Sequence, residues 1–162
     1  MTTQDLFASL ATLLRELAHG AAPTNGYVLN KGDAGLLASL GRLTADEASA
    51  AAHGGATIAA HVAHVSYGLS LMNRWRAGES PFESADWSLA WKIGAVSDAE
   101  WARLRGELQK EVDGQLSAFA IPRELTAIEL NGVIAEVAHV AYHMGAIRQI
   151  QADARGPKHG AS

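Results

Sequence analysis

The sequence predicts an all-α fold, a four-helix bundle with short helices in its crossover connections. Three observations carry that prediction. Apolar residues recur at helical spacing through four long segments. A Thr or Ser followed three residues later by Glu opens two of those segments, at Ser97/Glu100 and Thr126/Glu129. No alternating apolar and polar run is long enough to claim a sheet.

The first segment places Leu6, Leu10, Leu13, Leu14 and Leu17 on one stripe, giving an amphipathic helix that ends near Gly20. The Gly-, Pro- and Asn-rich stretch GAAPTNGYVLNKG then reads as a surface connection. A shorter helix follows from about Asp33 to Leu43, and Thr44 with Glu47 caps one further turn. The second long helix runs from about Thr57 to Ala77, with Ile58, Val62, Val65, Leu69 and Met72 on one stripe and His61, His64, Gly68, Leu71 and Trp75 beside it. Ser66, Ser70, Asn73 and Arg74 occupy its opposite side, which predicts a solvent face there.

GESPFES breaks that helix, and Trp87 with Trp91 anchors a short helical turn in the crossover, where packing is the expected role of both rings. The third long helix carries Trp101, Leu104, Leu108, Val112 and Leu116, and IPREL stops it. The last runs from Thr126 to about Asp153. One domain is expected over residues 1–154, with 155–162 as a loose tail.

Composition narrows the function. The 162 residues are 48 % hydrophobic, enough for a real core, and the net charge is −4 with thirteen scattered Lys and Arg. Nucleic-acid binding needs clustered cations, so that class is not expected. No stretch reads as a signal peptide or a membrane span, and the absence of cysteine fits a cytoplasmic protein. Any thiol chemistry must use an imported thiol.

The chemistry concentrates in histidine. His139 and His143 stand one turn apart in HVAYHMGAIRQ, so their rings project from one helix face and can converge on one ion. A metal site needs a third protein ligand, and the second long helix offers His61 and His64 on or beside its buried face. Spacing alone leaves both open. Hydrogen-bonded core histidines are the competing account, but four buried imidazoles would each need a polar partner, and few polar side chains fall on those faces. His19 and His53 sit beside glycines at helix ends and His159 lies in the tail, positions that favour solvation. A di-iron carboxylate site is not expected, because Glu136 with His139 is the single Glu-x-x-His and the second helix has no carboxylate between Thr57 and Ala77. Arg148 and Gln149 read as helix-surface groups with an optional role near a substrate, and neither a Ser/His/Asp order nor a phosphate-binding glycine loop is recognisable.

HVAYHMGAIRQI resembles the closing-helix signature of the DinB/YfiT-like family, and TIAAHVAHVSYGLSLMNRW resembles that family's second helix. The likeness extends from about Asn30 to Gln151 and includes the crossover DWSLAWK. It implies an up-down-down-up four-helix bundle, often a homodimer, with a divalent metal held by three histidines near one end. Carried onto this sequence, the ligands are His64, His139 and His143, with His61 as the alternate or as a supporting group behind them. The likeness further implies either metal-dependent hydrolysis or transfer of a low-molecular-weight thiol.

Three imidazoles leave a coordination position for water or substrate, the arrangement of catalytic sites, and suit Zn, Ni or Fe among other divalent ions. Glu136, one turn before His139, is a candidate to orient a ligand or act as a base, and Tyr142 a candidate donor to an oxyanion. The function expected is therefore activation of a small-molecule thiol or water against a small substrate. The alternative is a metal-stabilised binding or stress-response module without turnover. Selectivity is expected from the loops 20–32 and 78–97.

Overall fold

The helices begin where their first-turn N–H groups find a side-chain acceptor. The computed structural model describes residues 2–157, and in it α1 (Thr3–His19) opens on a reciprocal box: Thr2 accepts from the Asp5 amide at 3.1 Å while Asp5 accepts from the Thr2 amide at 2.8 Å. Thr44 with Glu47, Ser97 with Glu100 and Thr126 with Glu129 repeat that exchange. These boxes start α3 (Ala45–Ala48), α5 (Asp98–Phe119) and α6 (Ala127–Ile150). α2 (Gly35–Gly41) precedes α3, and α4 (Ile58–Arg76) begins after Thr57, whose hydroxyl accepts from the Ala60 amide. α1 stops at Gly20, whose φ of 103° is closed to most side chains.

The result is an all-helical bundle of four long helices. Among the described residues the only extended pairing is an isolated bridge between Ala51 and Thr57. α4 packs on α5 and α6, and α1 packs on the same two helices. Phe7, Leu10, Leu14 and Leu17 of α1 meet Leu104, Leu108, Val112 and Phe119 of α5 and Val133, Val140, Met144 and Ile147 of α6 in one core. Val62, Val65 and Leu69 of α4 complete it. Phe7 meets Phe119 edge to face at 5.8 Å, and Trp101 donates to the Leu43 carbonyl at 2.9 Å, tying α5 to the α2–α3 corner. Within the described residues no helix is long and apolar enough to cross a membrane.

Three local outcomes differ from the sequence reading. Two short 3₁₀ helices, Pro81–Ser84 and Ala90–Lys92, lie along α4, and with α5 they close over the side expected to face solvent. Ser66 is buried for that reason, and only Arg74 of the four expected surface residues is fully exposed. α6 ends at Ile150 rather than Asp153, because Gln151 turns extended and Ala152–Ala154 form a separate 3₁₀ turn that buries Ala154. Residues 155–157 fold back: Arg155 donates to the Arg148 carbonyl at 2.8 Å, Asn30 donates to the Pro157 carbonyl at 3.3 Å, and Gly156 lies where a Cβ would collide with the Asp33 carboxylate. The rest of the expected tail, from 158 onward and including His159, lies outside the described residues.

The 20–32 connection is organised by one carboxylate. Glu16, buried at the end of α1, accepts from the amides of Tyr27, Val28 and Leu29 at 2.6 to 3.0 Å. Burial alone would raise its pKa, but the three N–H bonds outweigh that and hold it below the ordinary value.

Candidate metal centre

α4 and α6 run side by side, and the apolar stripe of each carries histidine at the same level. His64 of α4 and His139 and His143 of α6 each offer a ring nitrogen, all three within 4.8 Å of one another. His64 and His143 are buried and His139 half-buried. Ring centroids are 4.9 Å apart for His64 and His139, 4.9 Å for His64 and His143, and 4.5 Å for the α6 pair. The i, i+4 spacing on α6 produces the short pair, and docking of α4 brings the third ring across.

His61 is the fourth member. Its Nδ1 stands 2.9 Å from Nδ1 of His143, a hydrogen bond in which one ring donates and the other accepts. That contact leaves Nε2 of His143 free to face the cluster. His61 thus lies behind His143, and the ring completing the triangle is His64.

The electrostatics favour neutral rings. Burial, reinforced by the neighbouring imidazoles, pushes His64 down to about 4 and His143 down to about 3, while burial lowers His61 and His139 as well. All four therefore present lone pairs at neutral pH. Nδ1 of His64 is buried and has no hydrogen-bond partner, a costly state for a polar atom that a cation would relieve. Zn–N bonds of about 2.0–2.1 Å require ligand nitrogens no more than about 4.2 Å apart, so small ring rotations complete the fit. The donor set and the orphaned atom match a divalent ion.

The tryptophans expected to serve as packing have a closer role. Trp91 stacks on His64 at 4.3 Å between centroids and approaches His61 edge-on at 5.5 Å, and Trp87 lies 5.5 Å from His64. The crossover is the outer wall of the cluster, and both rings keep some exposure. Their i, i+4 spacing within a polar stretch was the available signal.

Glu136 and Tyr142 are placed differently from one another. The Glu136 carboxyl makes no bond to a histidine; it accepts from the Gln115 amide and stands 3.5 Å from the Arg76 guanidinium, in a buried polar group between α4, α5 and α6. Burial pushes Glu136 up to about 8, against the opposing pull of Arg76 and Gln115. Arg76 also lies over the Phe119 ring at 4.5 Å. Tyr142 is exposed at the rim, its ring edge-on to His143 at 4.9 Å. Arg148 is committed elsewhere, pairing with buried Asp33 at 2.8 Å, and Gln149 is exposed. Of the two loops expected to shape selectivity, the second borders the histidines, whereas 27–29 bind Glu16 at the end of α1.

Fold and site together define a helical bundle with a three-histidine cluster between two of its long helices. No family model matches the chain, and neither a curated protein nor a solved structure does.

Proposed function

We propose that the protein binds one divalent ion per chain through His64, His139 and His143 and uses it to activate a small-molecule thiol or water against a small substrate. The observation that carries this reading is the convergence of three neutral imidazoles, one with a buried Nδ1 that nothing else satisfies. The resemblance to the DinB/YfiT-like family supports it, as does the connectivity. The long 77–97 connection suits consecutive helices running in the same direction, and the short one before α6 suits an antiparallel pair, as an up-down-down-up bundle requires. A cytoplasmic homodimer belongs to the same reading.

When bound, a divalent ion lowers the pKa of a coordinated water or thiol and so supplies a nucleophile at neutral pH. The chain's own residues set the stage for that chemistry. With Nε2 of His143 on the ion, its Nδ1 would carry the proton and donate to Nδ1 of His61, 2.9 Å away, which would hold the ring in that tautomer. Trp91 covers His64 and keeps bulk water from its ring. Tyr142, exposed at the rim with its ring edge-on to His143, is the hydroxyl donor this reading assigns to an oxyanion forming there.

The proximity of His61 favours one other reading, a closed site in which it turns to become a fourth nitrogen ligand and the protein is a metal-stabilised module without turnover. Elemental analysis of untagged protein should give about one ion per chain, lost in His64→Ala, His139→Ala and His143→Ala and retained in His61→Ala. The cobalt-substituted protein should gain a sulfur charge-transfer band with 2-mercaptoethanol. Full metal content in the His64, His139 and His143 variants refutes the ligand set, and a cobalt spectrum indifferent to thiol establishes the closed site.

A further inference from the structure

Beside the histidines, a cleft of about 500 Å³ runs along α6 from His139 to Glu136. Its outer lip is Phe82 and Trp87 of the crossover, and its floor is Gly68 and Met72 of α4. Two glycines on facing helices line it, each at a close approach. A Cβ at Gly132 would lie 3.2 Å from the Trp75 ring and 3.3 Å from the Met72 methyl, and one at Gly68 would lie 3.4 Å from the His139 ring. Glycine inside a helix costs about 1 kcal/mol relative to alanine, and at these two positions it permits the close approach of α4 and α6 along the cleft.

The lining contains no Lys or Arg. Its two titratable members are His139, a member of the histidine cluster, and Glu136, which burial drives toward the neutral acid. Oε1 of Glu136 is buried without a hydrogen-bond partner, while Oε2 is occupied by Gln115. A wall of aromatic, thioether and glycine surface with one unanswered oxygen selects against ions and for an apolar molecule bearing one hydrogen-bonding group.

We propose that this cleft binds an uncharged, apolar, ring-bearing molecule, whose single hydroxyl hydrogen-bonds with Oε1 of Glu136 and whose other end lies at His139 beside the ion. This deepens the metal-centre reading and rests on it for the second contact. It identifies the substrate class as a small neutral, ring-bearing compound rather than a carboxylate or an amine.

The test uses the full chain with ¹³C-methyl methionine. The Met72 methyl reports on the cleft and buried Met144 serves as the internal control. Benzyl alcohol is titrated into chelator-treated and zinc-loaded protein, with benzoate and benzylammonium as charged competitors. A saturable Met72 shift with an unmoved Met144 is expected in both forms. Affinity should be at least tenfold weaker for either charged ring, and at least tenfold weaker for benzyl alcohol in Ala135→Leu, a substitution at an exposed position of the cleft wall that leaves zinc content unchanged. No saturable shift, equal binding of a charged ring, or an indifferent Ala135→Leu overturns the proposal. A saturable shift in a protein that takes up no zinc upholds the neutral-ring cleft and overturns the metal reading instead.

Discussion

Lowering the pH from 7 to 5 in metal-free protein should destabilise it through the histidine cluster, and Glu136 should mask part of the loss. His64 and His143 ordinarily titrate at 6.5 but are held near 4 and 3 in the fold, so at pH 5 they stay neutral folded and gain protons unfolded. Their stabilisation is full above 6.5 and is lost as pH falls toward the folded values. At about 1.4 kcal/mol per pH unit, each ring surrenders about 2 kcal/mol between pH 7 and 5, about 4 kcal/mol for the pair. Both side chains are nearly inaccessible to solvent, at 9 % and 4 % exposure, so screening takes little from that figure. Glu136 has the opposite sign. Its folded value near 8 lies above the ordinary 4.5, so its destabilising contribution grows as pH rises from 4.5 to 8. Lowering the pH from 7 to 5 therefore returns about 2–3 kcal/mol. The wild type should lose only about 1–2 kcal/mol, and Glu136→Gln, which cannot titrate, about 4 kcal/mol. With a urea dependence near 2 kcal/mol per molar, the variant's unfolding midpoint should drop by about 2 M and the wild type's by under 1 M. Circular dichroism at 222 nm in the presence of a chelator measures both. A Glu136→Gln midpoint that does not move, or moves less than the wild type's, would refute the neutral cluster.

Three further outcomes follow from the geometry. Glu16→Gln removes the charge that gathers three amides, and should cost about 1.5–3 kcal/mol in urea unfolding with faster hydrogen exchange at Tyr27, Val28 and Leu29. Trp91→Ala uncovers His64, so the pKa of that ring in metal-free protein, followed by NMR, should climb from about 4 toward 6.5; an unchanged value would mean the stack does not shield it. Light scattering should give the mass of two chains at micromolar concentration, and Ile134→Glu on the outer side of α6, where Ile128 is also exposed, should give one; a wild-type monomer rejects the dimer.

The starts of α3, α5 and α6 were legible because a capping box is a contact between residues three apart, and the faces bearing His61, His64, His139 and His143 were legible because periodicity places side chains within a single helix. Choosing between His61 and His64 was beyond spacing, since they lie three apart on neighbouring parts of one face. What separates them is which ring lies across from His139 and which stands behind His143. The covering by Trp91, the bond from Gln115 to Glu136 and the pairing of Arg148 with Asp33 all join elements distant in sequence, through loops whose paths follow from tertiary packing. Glu136 beside His139 in sequence suggested an orienting carboxylate, but the helix rotates its carboxyl toward α5.

The same contrast in sequence distance has a kinetic consequence. Each capping box closes over three residues and can form while the rest of the chain is unfolded, whereas His61 and His143 are 82 residues apart and meet only once α4 and α6 have docked. An ion bound at the cluster would therefore add its binding energy on the native side of the folding barrier. It would lengthen the lifetime of the folded chain and leave the rate of reaching that state nearly unchanged.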